Sequence, residues 1–126
     1  YFCIANSSIG DMKFDSRSND WSKSKLREYL NNDLLEKIKD EIGVGNILPL
    51  GRDLISLDGI DEYEDTVELI SLLTVDEYRK YRKLLPNTGE WWWLCTPWST
   101  KSNGYESSVG GCCAGRPYQR QWRQLR

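Results

Sequence analysis

Trp91-Trp92-Trp93-Leu94-Cys95-Thr96-Pro97-Trp98 is the stretch on which the fold turns. Three consecutive indoles carry a large apolar area, and in an extended segment side chains alternate between opposite faces. Trp91, Trp93 and Cys95 then face one way, and Trp92, Leu94 and Thr96 the other. A strand apolar on both faces has to be covered on both, which places it centrally, between a helical layer and a second sheet or long loop. Core packing is therefore the expected role of Trp91 to Trp93. Pro97 has no backbone N–H and ends the strand. Trp98, just beyond it, is the aromatic left near the surface.

Upstream, Thr74-Val75-Asp76-Glu77 has the form of a capping box, in which the Thr hydroxyl and the Glu carboxylate each meet an orphan amide. It predicts a helix over residues 75–85, closed by Pro86 and buried through Leu84 and Leu85. Arg79, Lys80, Arg82 and Lys83 suit the negative end of its dipole. Residues 87–89 read as the turn into the tryptophan strand. Further back, Leu26, Tyr29, Leu30, Leu34, Ile38 and Ile42 recur at helical steps. Asn31-Asn32-Asp33 interrupts them and Asp33 with Glu36 resembles a second cap, so the prediction is two helices, 22–31 and 33–42, stopped by Gly43. Residues 1–5 read as a short buried strand, residues 6–10 as a polar turn, and Met12 with Phe14 as an edge strand. Residues 44–66 read as loop with a short strand at 53–57 and a turn at Asp58-Gly59; residues 67–73 are apolar enough for a strand or a helix lead-in. The fold class is α+β, a small mixed or antiparallel sheet with two or three helices.

The 126 residues allow one core and no second lobe. A net charge of -2 argues for neither a nucleic acid nor a membrane surface. The charge is unevenly spread: residues 1–108 hold 13 basic and 19 acidic groups, whereas residues 109–126 hold four arginines and no acid. The expected organisation is one α+β domain over residues 1–109 and a basic tail over 110–126. No apolar run approaches the roughly 20 residues that span a bilayer. No signal-peptide pattern opens the chain, which begins at Tyr1 in mid-pattern and reads as a fragment whose N-terminus lies further upstream. The four cysteines have no C-x-x-C spacing and are expected as reduced thiols. Asn6-Ser7-Ser8 fits a glycosylation sequon.

The chain contains no histidine, which excludes Ser-His-Asp and Cys-His nucleophile pairs and histidine ligation of zinc. Asp58, Asp61, Glu62, Glu64, Asp65 and Glu68 cluster in a Gly-containing loop, where a solvated face is the ordinary explanation. They lack the D-x-D-x-D-G register of a calcium loop. No metal, cofactor or catalytic constellation is expected, and the chain reads as a non-enzyme. Residues 99–108 are rich in Ser, Thr, Asn and Gly and read as a surface loop, the usual seat of function on a rigid scaffold. Trp98, Asn103 and Tyr105 are its candidate ligand-binding residues. The alternative is nucleic-acid contact by the tail, through Arg116, Tyr118, Arg120, Trp122, Arg123 and Arg126, which combine phosphate neutralisation with aromatic stacking.

Three motifs occur in order: Trp21 to Asn31 as W-x-x-S-x-L-R-x-x-L-N, Leu72 to Tyr78 as L-L-S/T-x-x-E-Y, and Trp92 to Pro97 as W-W-L-x-S/T-P. Together they resemble a domain family of unknown function from gut bacteria and their phages, over residues 1–109. The resemblance implies a C-type-lectin-like fold, shared with formylglycine-generating-enzyme-type domains and phage receptor-binding proteins. It also implies a recognition module at a virion or extracellular surface, binding a carbohydrate or protein ligand, with no membrane insertion. Beyond Val109 the chain departs from the family, whose members end in a G-V-R-P strand. Codon degeneracy allows residues 116–126 to be rewritten one nucleotide along as G-R-I-S-D-N-G-V-S-Y-G, which resembles the family's segment, so the tail is expected to be a frame-shifted translation.

Overall fold

A computed structural model describes residues 2–86 and 89–105 and the backbone of residues 112–115. The fold is α+β. A 3-10 turn (Trp21–Lys23) leads into α1 (Lys25–Tyr29), a π-helical turn (Leu30–Leu34) and α2 (Leu35–Ile42); α3 (Val75–Lys80) stands apart. Two antiparallel pairs complete it: β1 (Leu50–Arg52) with β2 (Thr66–Glu68), and β3 (Trp92–Pro97) with β4 (Cys112–Gly115). The second pairing draws residues 112–115, which the sequence assigns to the tail, into a sheet.

β3 organises the interior as its alternation requires. Trp93 and Cys95 pack on one side with Phe14, Trp21, Leu26, Leu30, Leu54 and Tyr63. Trp92 and Leu94 pack on the other with Leu73, Val75, Tyr78 and Leu85. Thr96 shares that second face, and its hydroxyl accepts the Val75 N–H of α3 at 2.9 Å. Besides pairing with β4, the strand is held where Cys95 N–H donates to the Leu73 carbonyl and Leu57 N–H to the Pro97 carbonyl, both at 2.9 Å. Trp91 departs from expectation: it precedes the strand and is 60% exposed, so only Trp92 and Trp93 serve the core. Burial pushes the Cys95 thiol up to about 12, which keeps it neutral.

The helical run is continuous where two helices are predicted. Asn31-Asn32-Asp33 widens the helix into a π turn instead of breaking it, and no Asp33 cap forms. The Asn31 amide N–H donates to the Arg27 carbonyl at 3.0 Å and the Ile70 carbonyl at 2.8 Å, while its oxygen accepts from Leu69 and Ile70 N–H. The turn thus docks the helix on residues 69–70. α2 ends at Gly43 as predicted, with φ at +81°, a backbone conformation that residues with a Cβ rarely adopt.

Three predicted strands do not form, each for a local reason. Residues 2–5 are exposed and unpaired in any sheet; Phe2 stacks on Tyr81 instead, with centroids 5.5 Å apart. Phe14 is buried but Met12, which would share its face in a strand, is exposed, so the strand alternation is not kept. Their carbonyls serve Leu26 N–H and the Trp93 indole, both at 3.1 Å, and not a ladder. Over residues 53–57, Leu54 and Ser56 are buried and Ile55 and Leu57 exposed, but the Asp53 carboxylate takes the Ile55 N–H at 2.9 Å and turns the backbone away from pairing. The strand forms just upstream, at β1. The Thr74–Glu77 capping box is present with both of its hydrogen bonds, yet α3 stops at Lys80 and leaves Leu84 80% exposed. Of the predicted turn at 87–89, residues 87 and 88 lie outside the described residues.

Two partly buried ion pairs join the layers. The Arg27 Nε donates to Glu68, tying α1 to β2, and the Arg52 guanidinium grips the Glu77 carboxylate through its two Nη atoms, tying β1 to α3. Glu68 is therefore a structural acid, although the sequence groups it with the solvated cluster.

Candidate functional site

β3 ends at Pro97, and the chain emerges with Trp98 52% exposed, as the sequence predicts. The next two residues turn back inward: Ser99 and Thr100 are buried, so the loop is not surface throughout. A 3-10 turn (Lys101–Asn103) follows, closed by Gly104 in the left-handed conformation. Tyr105 N–H returns to the Thr100 carbonyl at 3.2 Å and leaves its ring exposed.

Four side chains hold this loop from beneath. The Asn19 amide donates to the Ser99 carbonyl at 2.8 Å, and Tyr63 donates to the Asn19 oxygen at 2.5 Å while accepting the Lys101 N–H at 2.9 Å. Asp58 accepts from the hydroxyls of Ser56 and Ser99, the latter at 2.6 Å, and from the Asn103 amide at 3.5 Å. Glu62 accepts from the Thr100 hydroxyl at 3.0 Å and the Ser102 N–H at 3.3 Å. The turn at Asp58-Gly59 sets up this support: Gly59, with φ at +88°, closes it by donating to the Ser56 carbonyl at 2.9 Å.

The hydroxyls of Ser56 and then Ser99 hold the Asp58 carboxyl below the usual carboxylate range, and the Ser102 and Thr100 hydroxyls do the same for Glu62. Both are ionised at neutral pH, so neither has a proton to offer as a general acid. Among the described residues, no group of three or more acids or cysteines is gathered to hold a metal ion.

The three sequence-predicted ligand residues thus lie on one short loop, with different exposures of their working atoms. Trp98 and Tyr105 present ring surface. Asn103 spends its amide N–H on Ser99, at 3.0 Å, and on Asp58, while its oxygen accepts no hydrogen bond among the described residues. Sequence reading missed the supports Asn19, Tyr63, Ser99 and Thr100, because isolated polar residues announce burial only through partners distant in sequence. Asp58 and Glu62 were visible, but as members of a solvated acidic run. The candidates of the basic tail, Arg116, Tyr118, Arg120, Trp122, Arg123 and Arg126, lie outside the described residues. No family model, curated protein or solved structure matches the chain.

Proposed function

We propose that this chain is a non-enzymatic recognition module of a phage or bacterial surface protein, presenting the loop after Trp98 to a carbohydrate or protein ligand. The observation that carries the proposal is the half-exposed indole of Trp98, standing at the end of an otherwise well-covered strand on a loop fixed by four polar side chains. A pre-fixed aromatic face loses little conformational freedom on binding, and apolar C–H faces of a sugar or a partner's side chain stack on it. The three ordered motifs and the C-type-lectin-like plan they resemble support the reading by analogy of fold, which leaves the ligand open.

Screening the chain against immobilised glycans and surface proteins tests the proposal. Replacing Trp98 by alanine is expected to weaken the captured ligand by tenfold or more, about 2 kcal/mol for a central aromatic anchor. Melting should be unchanged, because surface substitutions commonly shift stability by only about 0.5 kcal/mol. Binding that survives both Trp98→Ala and Tyr105→Ala would sink the reading. The four arginines of residues 109–126 favour one alternative, a small nucleic-acid-binding protein. Salt-dependent oligonucleotide binding that disappears with residues 114–126 would establish it in place of the first.

A further inference from the structure

The run Arg79-Lys80-Tyr81-Arg82-Lys83 holds four of the 13 basic groups of residues 1–108, in a segment whose remainder is acidic. Helix capping accounts for only part of it: α3 ends at Lys80, so Arg82 and Lys83 lie beyond the helix whose dipole would call for them. Nor are three of the four charges consumed internally. Among the described residues Arg79, Lys80 and Lys83 enter no ion pair, and the nearby Glu77 is committed to Arg52 and to the Thr74 cap. Aromatic rings hold two of the cations in place: the Lys80 ammonium lies 5.2 Å from the Tyr81 ring centre and the Arg82 guanidinium 5.4 Å from that of Tyr78. Tyr81 is itself braced by Phe2. Leu84, one residue beyond the run, is exposed and adds an apolar contact beside the charges.

We infer that residues 79–84 form a docking surface for a short acidic protein segment carrying an apolar residue. The patch supplies charge opposite to such a segment, part of it braced on aromatic rings before contact, and an exposed leucine for apolar contact. A long polyanion fits less well. Residues 1–108 hold 19 acidic groups against 13 basic ones, so an extended nucleic acid or anionic bilayer would meet net like charge beyond the patch.

Fluorescence anisotropy on the full chain tests this, with labelled hexaglutamate ending in leucine, labelled hexathymidylate, and vesicles containing phosphatidylserine as probes. At low ionic strength the peptide is expected to bind best, with affinity lost toward 0.15 M salt as the screening length falls to about 8 Å. Lys80→Gln/Lys83→Gln should weaken it roughly fivefold, the effect of removing two modest charge contacts. Arg79→Gln/Lys83→Gln should act alike, and Arg120→Gln/Arg123→Gln should not. Tighter binding of the oligonucleotide or vesicles, loss through the tail variant in place of the α3 variants, or no peptide binding at low salt would each overturn the inference.

Discussion

Replacing Arg52 by methionine is expected to destabilise the domain by about 3–5 kcal/mol, the cost of leaving one partner of a buried ion pair alone. Arg52 is only 3% exposed, and its guanidinium serves the Gly51 carbonyl at 2.9 Å, the Leu72 carbonyl at 3.3 Å and both oxygens of Glu77. Methionine fills similar volume but leaves the Glu77 charge half-buried and facing apolar atoms. For a domain near 100 residues that is a fall in melting temperature of roughly 15 °C or more. Adding Glu77→Gln, which removes the stranded charge but keeps an oxygen for the Thr74 N–H, should recover about half of the loss. Urea denaturation of the two single variants and the double variant gives the coupling directly. A cost under about 1 kcal/mol for Arg52→Met would mean that solvent screens the pair as it does on a surface. Acid provides an independent check. Burial works to raise the Glu77 carboxyl, but hydrogen bonds from Arg52 and Thr74 and the Arg52 charge outweigh it, so it lies below the usual glutamate range. Its contribution is therefore complete above the unfolded-state value and is lost as pH falls through the lowered folded-state value. Arg52→Met should flatten that acid limb.

Periodicity carried the reading of the sequence furthest where one face is buried by near neighbours. The alternation of β3, the helical stripe from Leu26 to Leu34, the stop at Gly43 and the capping box at Thr74 are all local patterns with local causes, whereas the far end of the stripe, Ile42, is half exposed. It failed where a polar side chain redirects the backbone. Asp53 diverts residues 53–57, and Asn31 widens the helix because its amide has carbonyl and N–H partners at residues 69–70, nearly forty positions away. The candidate site divides the same way. Trp98 was legible from its place after Pro97, since a strand cannot continue through a residue without an N–H donor. Asn19 and Tyr63 were not, because their roles depend on a loop some forty to eighty positions later in the chain.

Of the indoles, Trp21 should matter most to stability. It is fully buried in the 3-10 turn ahead of α1, where its carbonyl accepts the Ser24 N–H at 3.1 Å and Asp20 caps the turn by accepting the Ser22 N–H at 3.0 Å. Its ring leans on Phe14, with centroids 5.9 Å apart, and Phe14 meets Trp93 edge-on at 6.0 Å, so three aromatics link the helical run to β3. Trp21→Ala is expected to cost about 3–5 kcal/mol, the range for a large aromatic removed from a core that closes only partly around the gap. Trp21→Phe should cost well under half of that, because a ring remains against Phe14 and the indole N–H, which has no acceptor among the described residues, is gone. Trp98→Ala supplies the contrast, with a loss of about 0.5 kcal/mol or less for an exposed site. Equilibrium unfolding of the three variants, followed by near-ultraviolet circular dichroism, measures the series. If Trp21→Ala and Trp98→Ala proved equal, the Phe14–Trp21–Trp93 chain could not be what holds the helices on the sheet. The expected order instead gives the indoles separate roles. Trp21 and Trp93 fix the scaffold, which leaves the half-exposed Trp98 open to selection by a ligand without a cost to folding.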